Sequence, residues 1–274
     1  MLQRFIPSTG EAIPVTGIGS WKRFDVTNDS PEREDLKKIL TLMHQHKATL
    51  IDSSPMYGRS EQVIGELTNE IRLADKFFYA TKVWTSGKDA GIKQMKESMR
   101  KMNRSVMDLI QIHNLVDWQT HLKTLRQWKS EGLIRYTGIT HYTTSFHAQL
   151  EQIIQKEPLD FVQFNYSIAT RNAEKRLLPL AMDKGVAVII NEPLEKGKLF
   201  DKVKNKSLPS WAAGYDIQSW AGFFLKYIIS HPAVTCVIPA TSNPLHMEDN
   251  LVAGEGRIPD EKGRKKMVEY FDPI

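Results

Sequence analysis

An α/β fold, a (β/α)8 TIM barrel with an N-terminal β-hairpin across its floor, is what the sequence predicts. Short apolar runs alternate with stretches whose apolar residues recur at helical spacing. The alternation gives eight strand–helix units, and the 274 residues suit a barrel that needs roughly 250. The runs are also nearly continuous in apolar residues, as parallel strands covered on both faces must be. A doubly wound open sheet is the competing architecture, but it advertises a Gly-rich first turn. Here only Gly17-Ile18-Gly19 is present, with Lys22 where a third glycine would stand. Two glycines in a first strand fit close backbone packing at a barrel mouth better than a dinucleotide fingerprint. No Pro/Gly/Ser-rich linker divides the chain, so residues 1–274 are expected to form one domain.

Taken in order, Arg4 to Pro14 reads as two short strands around Ser8-Thr9-Gly10, a hairpin placed to plug the barrel floor. Val15 to Ser20 is the first barrel strand. Ser30 caps a helix with Pro31 at its first position, and Leu36, Ile39, Leu40 and Met43 form its apolar face. The remaining predicted strands are 49–53, 77–83, 106–112, 135–140, 161–166, 186–190 and 234–239. The predicted helices between and after them are 61–71, 90–102, 117–128, 145–155, 172–182, 217–229 and 246–252. Lys196 to Gly214 is expected to be the longest irregular segment, a functional loop after the seventh strand.

Composition narrows the class. With 41% hydrophobic and 25% charged residues, the chain reads as globular and can fill a core. The formal net charge of +5 is scattered, without the basic run and interleaved aromatics that nucleic acid requires. No apolar stretch reaches the roughly 20 residues of a membrane helix. One cysteine, Cys236, excludes an internal disulfide and a cysteine-based zinc site, and its apolar neighbours mark it as a small buried hydrophobe. A cytoplasmic monomer is expected, with the periplasm as the alternative if a leader has been removed.

Four functional groups then fall at strand ends, where a barrel carries its active site. Asp52 ends the second strand and Tyr57 lies five residues on, in the loop bracketed by Pro55 and Gly58; Lys82 ends the third strand and His113 the fourth. Each alone has a structural reading: a helix cap, a loop aromatic, a snorkelling lysine, a core histidine. Four at equivalent positions point to a tuned phenol. The reference pKa of tyrosine is about 10, a nearby ammonium favours the phenolate and lowers it, and a buried lysine needs a counter-charge such as Asp52. Such a phenol can protonate a developing alkoxide, while a neutral histidine orients a carbonyl oxygen. Nothing pairs a nucleophile with a base, so the hydride would come from a bound cofactor. A metal-dependent hydrolase using His113, His141, His147 and Asp52 is a competing reading, but those histidines lack paired spacing on a strand, so no resident metal is expected.

Asp52-x4-Tyr57-Gly58, Thr81-Lys82-Val83-Trp84 and Gln111-Ile112-His113 together resemble the aldo-keto reductases, over nearly the whole chain. The resemblance implies that Asp52, Tyr57, Lys82 and His113 are the catalytic tetrad, with Tyr57 as the acid. It implies reduction of an aldehyde or ketone with NADP(H), or with NAD(H) as the alternative. It further implies a cofactor held across the barrel mouth by Thr140, His141, Gln163, Asn191, Pro193, Leu194, Ala240, Thr241, Ser242, His246, Asp249 and Asn250. Trp21, Met56 and Trp84 are candidates for the substrate wall, with Tyr142 and Trp118 as further ones. Several positions depart from the family pattern. Thr140-His141 stands where Ser-Asn is usual, and Asn191 where many members carry Tyr. Ala240 and His246 replace a Lys and an Arg that grip the NADP 2′-phosphate in well-studied members. The same fold also serves as a nicotinamide-sensing module with little turnover, resembling the potassium-channel β-subunits.

Overall fold

The computed structural model describes residues 1–274. Strands β1 (Gln3–Phe5) and β2 (Ala12–Pro14) form the antiparallel hairpin. Eight parallel strands follow: β3 (Ile18–Gly19), β4 (Leu50–Asp52), β5 (Phe78–Val83), β6 (Met107–His113), β7 (Ile134–His141), β8 (Phe161–Asn165), β9 (Ala187–Asn191) and β10 (Cys236–Val237). Each pairs with its neighbour in sequence. The seam between first and last closes through backbone bonds of 2.9 Å from Gly17 N–H to Val237 O and from Val237 N–H to Val15 O. Gly17 is needed here, because a Cβ at that position would lie 2.5 Å from Leu50 O.

The strand period of two explains the core. Leu50, Phe78, Ala80, Leu109, Tyr136, Phe161, Ile189 and Cys236 share the barrel interior with Ile6 and Ile13 of the hairpin, which is the expected floor plug. Alternate residues such as Ile51, Tyr79, Ile110, Ile139, Val162 and Ile190 belong to the outer apolar layer together with residues of the helices. Fully burying such side chains is worth about 1.5–3 kcal/mol each.

The helices are α1 (Glu32–Gln45), α2 (Ser60–Glu70), α3 (Lys88–Lys101), α4 (Trp118–Ser130), α5 (His147–Lys156), α6 (Leu177–Asp183), α7 (Lys198–Val203), α8 (Trp220–Ile229), α9 (Pro244–Val252) and α10 (Glu261–Phe271). Ser30 Oγ accepts from the Glu32 N–H at 3.3 Å at the head of α1. Two expectations need correction, and one helix was not anticipated. The predicted helix 172–182 is a 3-10 turn at Asn172–Lys175 and the separate α6, broken at Arg176, whose φ of −145° is not helical. The segment 196–214 is not irregular, since it carries α7 and a 3-10 turn at Ser210–Tyr215. The closing helix α10 was not read, because a largely charged stretch buries only Gly263, Met267 and Phe271.

Candidate active site

Inside the barrel the apolar floor gives way to a polar layer at the C-terminal strand ends. The register builds it: Lys82 pairs with Gln111, His113 with Thr140, Thr140 with Gln163, and Asn165 with Asn191. Asp52 is its hub. One carboxylate oxygen accepts from Lys82 Nζ at 2.6 Å, and the other accepts from Gln163 Nε2 at 3.0 Å and Gln111 Nε2 at 3.3 Å. Lys82 also donates to the Ser53 carbonyl at 2.7 Å. The ion pair is almost sealed from solvent, with side-chain exposures of 1% and 3%. Burial drives the Lys82 pKa down, and the charge and hydrogen bond of Asp52 oppose that shift. A third charge stands behind the sheet: Glu61, in the first turn of α2, is buried and accepts from Thr81 Oγ1 at 2.5 Å.

Tyr57 is positioned by a tight loop between β4 and α2. Gly58 holds φ +60° there, and a Cβ on it would meet the Asp25 carboxylate at 2.4 Å. The Tyr57 ring centroid lies 5.4 Å from Lys82 Nζ and 5.8 Å, edge-on, from the His113 ring. The expected direction of its pKa is reversed. Burial first, then the carboxylates of Asp52 and Glu192, push the phenol well above its ordinary value. The ammonium of Lys82 is neutralised by Asp52 at contact distance, so it does not pull the phenol down. Tyr57 is therefore an uncharged O–H donor across the physiological range. His113 Nδ1 bonds Ser54 Oγ at 2.9 Å, and burial, with Lys82 and His141 adding to it, lowers its pKa to about 3. His113 is thus a neutral imidazole.

The other predicted residues divide. Thr140 Oγ1 donates to Gln163 Oε1 at 2.9 Å, adding to the Asp52 network. His141 is buried, stacks on Phe146 with centroids 3.6 Å apart, and bonds Thr143 Oγ1 through Nδ1. Asn191 Oδ1, at the end of β9, is buried without a hydrogen-bond partner, and so is Gln111 Oε1. Pro193 and Leu194 follow in the loop after β9. Ala240, Thr241 and Ser242 lead into α9, where Asn243 Oδ1 accepts from Leu245 N–H at 2.9 Å and Thr241 Oγ1 accepts from Asn243 N–H at 3.0 Å. Ala240 and His246 are exposed and Asn250 is buried. Asp249 is engaged by Ser219 Oγ at 2.6 Å, which ties α9 to the head of α8. Trp21, Met56 and Trp84 are exposed by 40, 40 and 41%, unusual for such side chains, and Trp84 lies 6.3 Å from the His113 ring. Trp118 does not join them, since it packs on the outer core. Sequence reasoning missed Gln111, Ser54, Glu61 and Glu192. Gln111 and Ser54 each lie two residues from a residue that was read, on the same face of the chain, and that spacing was the available signal.

A family model described as the Aldo/keto reductase family matches residues 16–265. The chain belongs to the aldo/keto reductase family. As an aldo/keto reductase it is an oxidoreductase that reduces small carbonyl compounds with a nicotinamide dinucleotide. It is 26% identical over 264 residues to methylglyoxal reductase YeaE of Escherichia coli, an alignment covering 93% of this chain and 90% of that protein. It is 27% identical over 230 residues to an NADH-specific methylglyoxal reductase of the same species, covering 72% and 68%. In fold it is similar to an aldo-keto reductase from Klebsiella pneumoniae in complex with NADPH, with a TM-score of 0.81, 22% identity, and coverage of 100% and 97%. No helix of this reductase is long and apolar enough to cross a membrane.

Proposed function

We propose that Tyr57 is the general acid of this reductase, with Lys82, Asp52 and His113 completing the site. The carrying observation is one buried layer in which Asp52 holds Lys82 at 2.6 Å while Lys82 faces the Tyr57 ring. The donor set suits a dinucleotide. The orphaned acceptor Asn191 Oδ1, at the end of β9, can take an amide N–H, and Thr241 and Ser242 ahead of α9 offer hydroxyls to a phosphate. When bound, the reduced nicotinamide supplies the hydride to the carbonyl carbon. His113, neutral, donates a hydrogen bond that orients the carbonyl oxygen. Tyr57 transfers its phenolic proton to that oxygen as the negative charge develops. The Lys82 ammonium stabilises the phenolate left behind, and solvent returns the proton. Asp52, fixed by Gln111 and Gln163, keeps Lys82 charged and stationary. Trp21, Met56 and Trp84 form the apolar wall and exclude water from the transfer.

NADP(H) is the proposed cofactor, with NAD(H) the second choice. One relative is named NADH-specific and a similar structure holds NADPH, while Ala240 and His246 provide no fixed cation for a 2′-phosphate. His141, Thr140, Gln163, Pro193, Leu194, Asp249 and Asn250 complete the proposed cofactor contacts. A small 2-oxoaldehyde is the substrate class that the two named relatives favour. The chain is proposed to act as one domain over 1–274, as a cytoplasmic monomer that does not bind nucleic acid. Titration of the purified protein with NADPH and NADH, followed by turnover on a panel of aldehydes and ketones, tests the proposal. Tight cofactor binding without turnover of any carbonyl would replace it with the sensing module.

A further inference from the structure

Two lysines meet over Trp21. Lys22 lies in the loop after β3 and Lys196 in the loop after β9, and both hold left-handed backbone, with φ of 59° and 58°. Their ammonium nitrogens stand 4.7 and 5.6 Å from the Trp21 ring centroid. Lys196 Nζ is also 5.7 Å from the Tyr142 ring and 3.0 Å from Glu192 Oε1. Its ammonium thus occupies a cage of two aromatic faces and one carboxylate, the surroundings that recognise ammonium groups. Lys22 has no carboxylate partner. The cage stands at the same barrel mouth as Tyr57: Trp21 follows Ser20, whose N–H bonds the Asp52 carbonyl at 2.9 Å, and Tyr142 follows His141 at the end of β7.

We propose that Lys196 sets the charge selectivity of the carbonyl site, so that the mouth favours substrates bearing a carboxylate and rejects those bearing an ammonium group. The inference rests on the assignment of Tyr57 and the barrel mouth made above. A substrate approaching Tyr57 along Trp21 meets two ammonium groups and one carboxylate. A substrate carboxylate there gains from the excess positive charge. A substrate cation is repelled, and both aromatic faces that would receive it are engaged by Lys196. Removing the Lys196 ammonium leaves Glu192 between Trp21 and Tyr142, which is an ammonium site. Removing the Glu192 charge instead leaves two uncompensated lysines. Selectivity built from repulsion as well as attraction responds strongly to either change.

The test measures kcat/KM of the full chain with NADPH for benzaldehyde, para-carboxybenzaldehyde and para-trimethylammoniobenzaldehyde. The unmodified protein is compared with Lys196→Met, which keeps the apolar stem on the rings, Lys196→Ala and Glu192→Gln. The expected result is a carboxylate-to-ammonium ratio that falls by about tenfold in both Lys196 variants and rises severalfold in Glu192→Gln, as expected for one unit charge at close range. Benzaldehyde turnover should change little in the Lys196 variants. An unchanged ratio overturns the proposal. So does a loss confined to NADPH affinity, which would assign Lys196 to a cofactor phosphate rather than a substrate carboxylate. Failure of the unmodified protein to reduce any of the three aldehydes removes the assignment of the mouth itself. A normal benzaldehyde rate with an indifferent ratio removes only this inference.

Discussion

The two arcs of the barrel mouth are built differently. On the β4–β6 side, Asp52, Lys82 and His113 stand on strands, buried, each held by short hydrogen bonds. On the β9–β10 side the charged and solvent-facing groups stand beyond the strands, in the loops after β9 and β10 and on α9. Glu192, Glu195 and Lys196 all hold left-handed backbone, and Ala240 and His246 face solvent. Proton transfer and charge stabilisation require atoms fixed to within fractions of an ångström in low dielectric, which strands and a closed polar network provide. Gripping an anion at the rim requires only a cation within reach, and a loop can exchange that cation without disturbing the core. On the proposed assignment, chemistry is set on one arc and ligand choice is left adjustable on the other.

The largest expected effect breaks the first arc. Tyr57→Phe should lower kcat by roughly 10²–10⁴-fold, the usual worth of general acid catalysis, while fluorescence titration gives an unchanged NADPH Kd. Retention of most turnover would remove Tyr57 from its role.

Next is the ion pair. Asp52→Ala leaves the Lys82 charge buried without a partner, which should cost about 3–5 kcal/mol in urea unfolding. Adding Lys82→Met to that variant should recover much of the stability but none of the activity. A double variant no more stable than Asp52→Ala would show that the pair is not the source of the loss.

A smaller effect concerns pH. The folded pKa of His113 is lowered from 6.5 to about 3. The folded state therefore binds the proton less readily than the unfolded chain. Its contribution to stability is full above 6.5 and is lost as pH falls from there towards about 3. His113→Gln should flatten that part of the stability profile. An identical slope in the variant would contradict the buried neutral imidazole.

The smallest effect sharpens the second arc. Ala240→Lys should tighten NADPH about five- to tenfold and leave NADH nearly unchanged. A hydrogen bond to a charged group is worth about 1.5–3 kcal/mol, reduced at an exposed rim by solvent screening. Equal tightening of both cofactors would place the new charge near the pyrophosphate instead of the 2′-phosphate.

The difference between the arcs also explains what could be read in advance. Asp52, Lys82 and His113 were legible because a strand end fixes where a side chain goes, and three successive strands repeat the signal. The alternation of strands and helices gave the barrel for the same reason. Beyond their two-residue spacing from His113 and Asp52, the roles of Gln111 and Ser54 were not legible, because the partner that makes each matter lies on another element that only the fold brings near. The sign of the Tyr57 shift needed burial and the position of Glu192, neither of which spacing reveals. Lys196 was read as the start of a functional loop after the seventh strand, and its seat between Trp21 and Tyr142 depends on left-handed backbone that its residue type does not announce. The closing helix α10 escaped for want of an apolar stripe.

The seam of the barrel carries one more consequence. Its two strands are the shortest, and they join residues from opposite ends of the chain through Thr16 and Val237. The Asp52–Lys82 contact spans 30 residues and can form within a nascent fragment, whereas the seam waits for nearly the whole polypeptide. Until it forms, β3 and β10 present open edges able to pair with another chain. A truncated or still-growing molecule would therefore hold its acid half assembled and its cofactor half unclosed. Competence to bind the dinucleotide would then require that the chain has been made at least through β10.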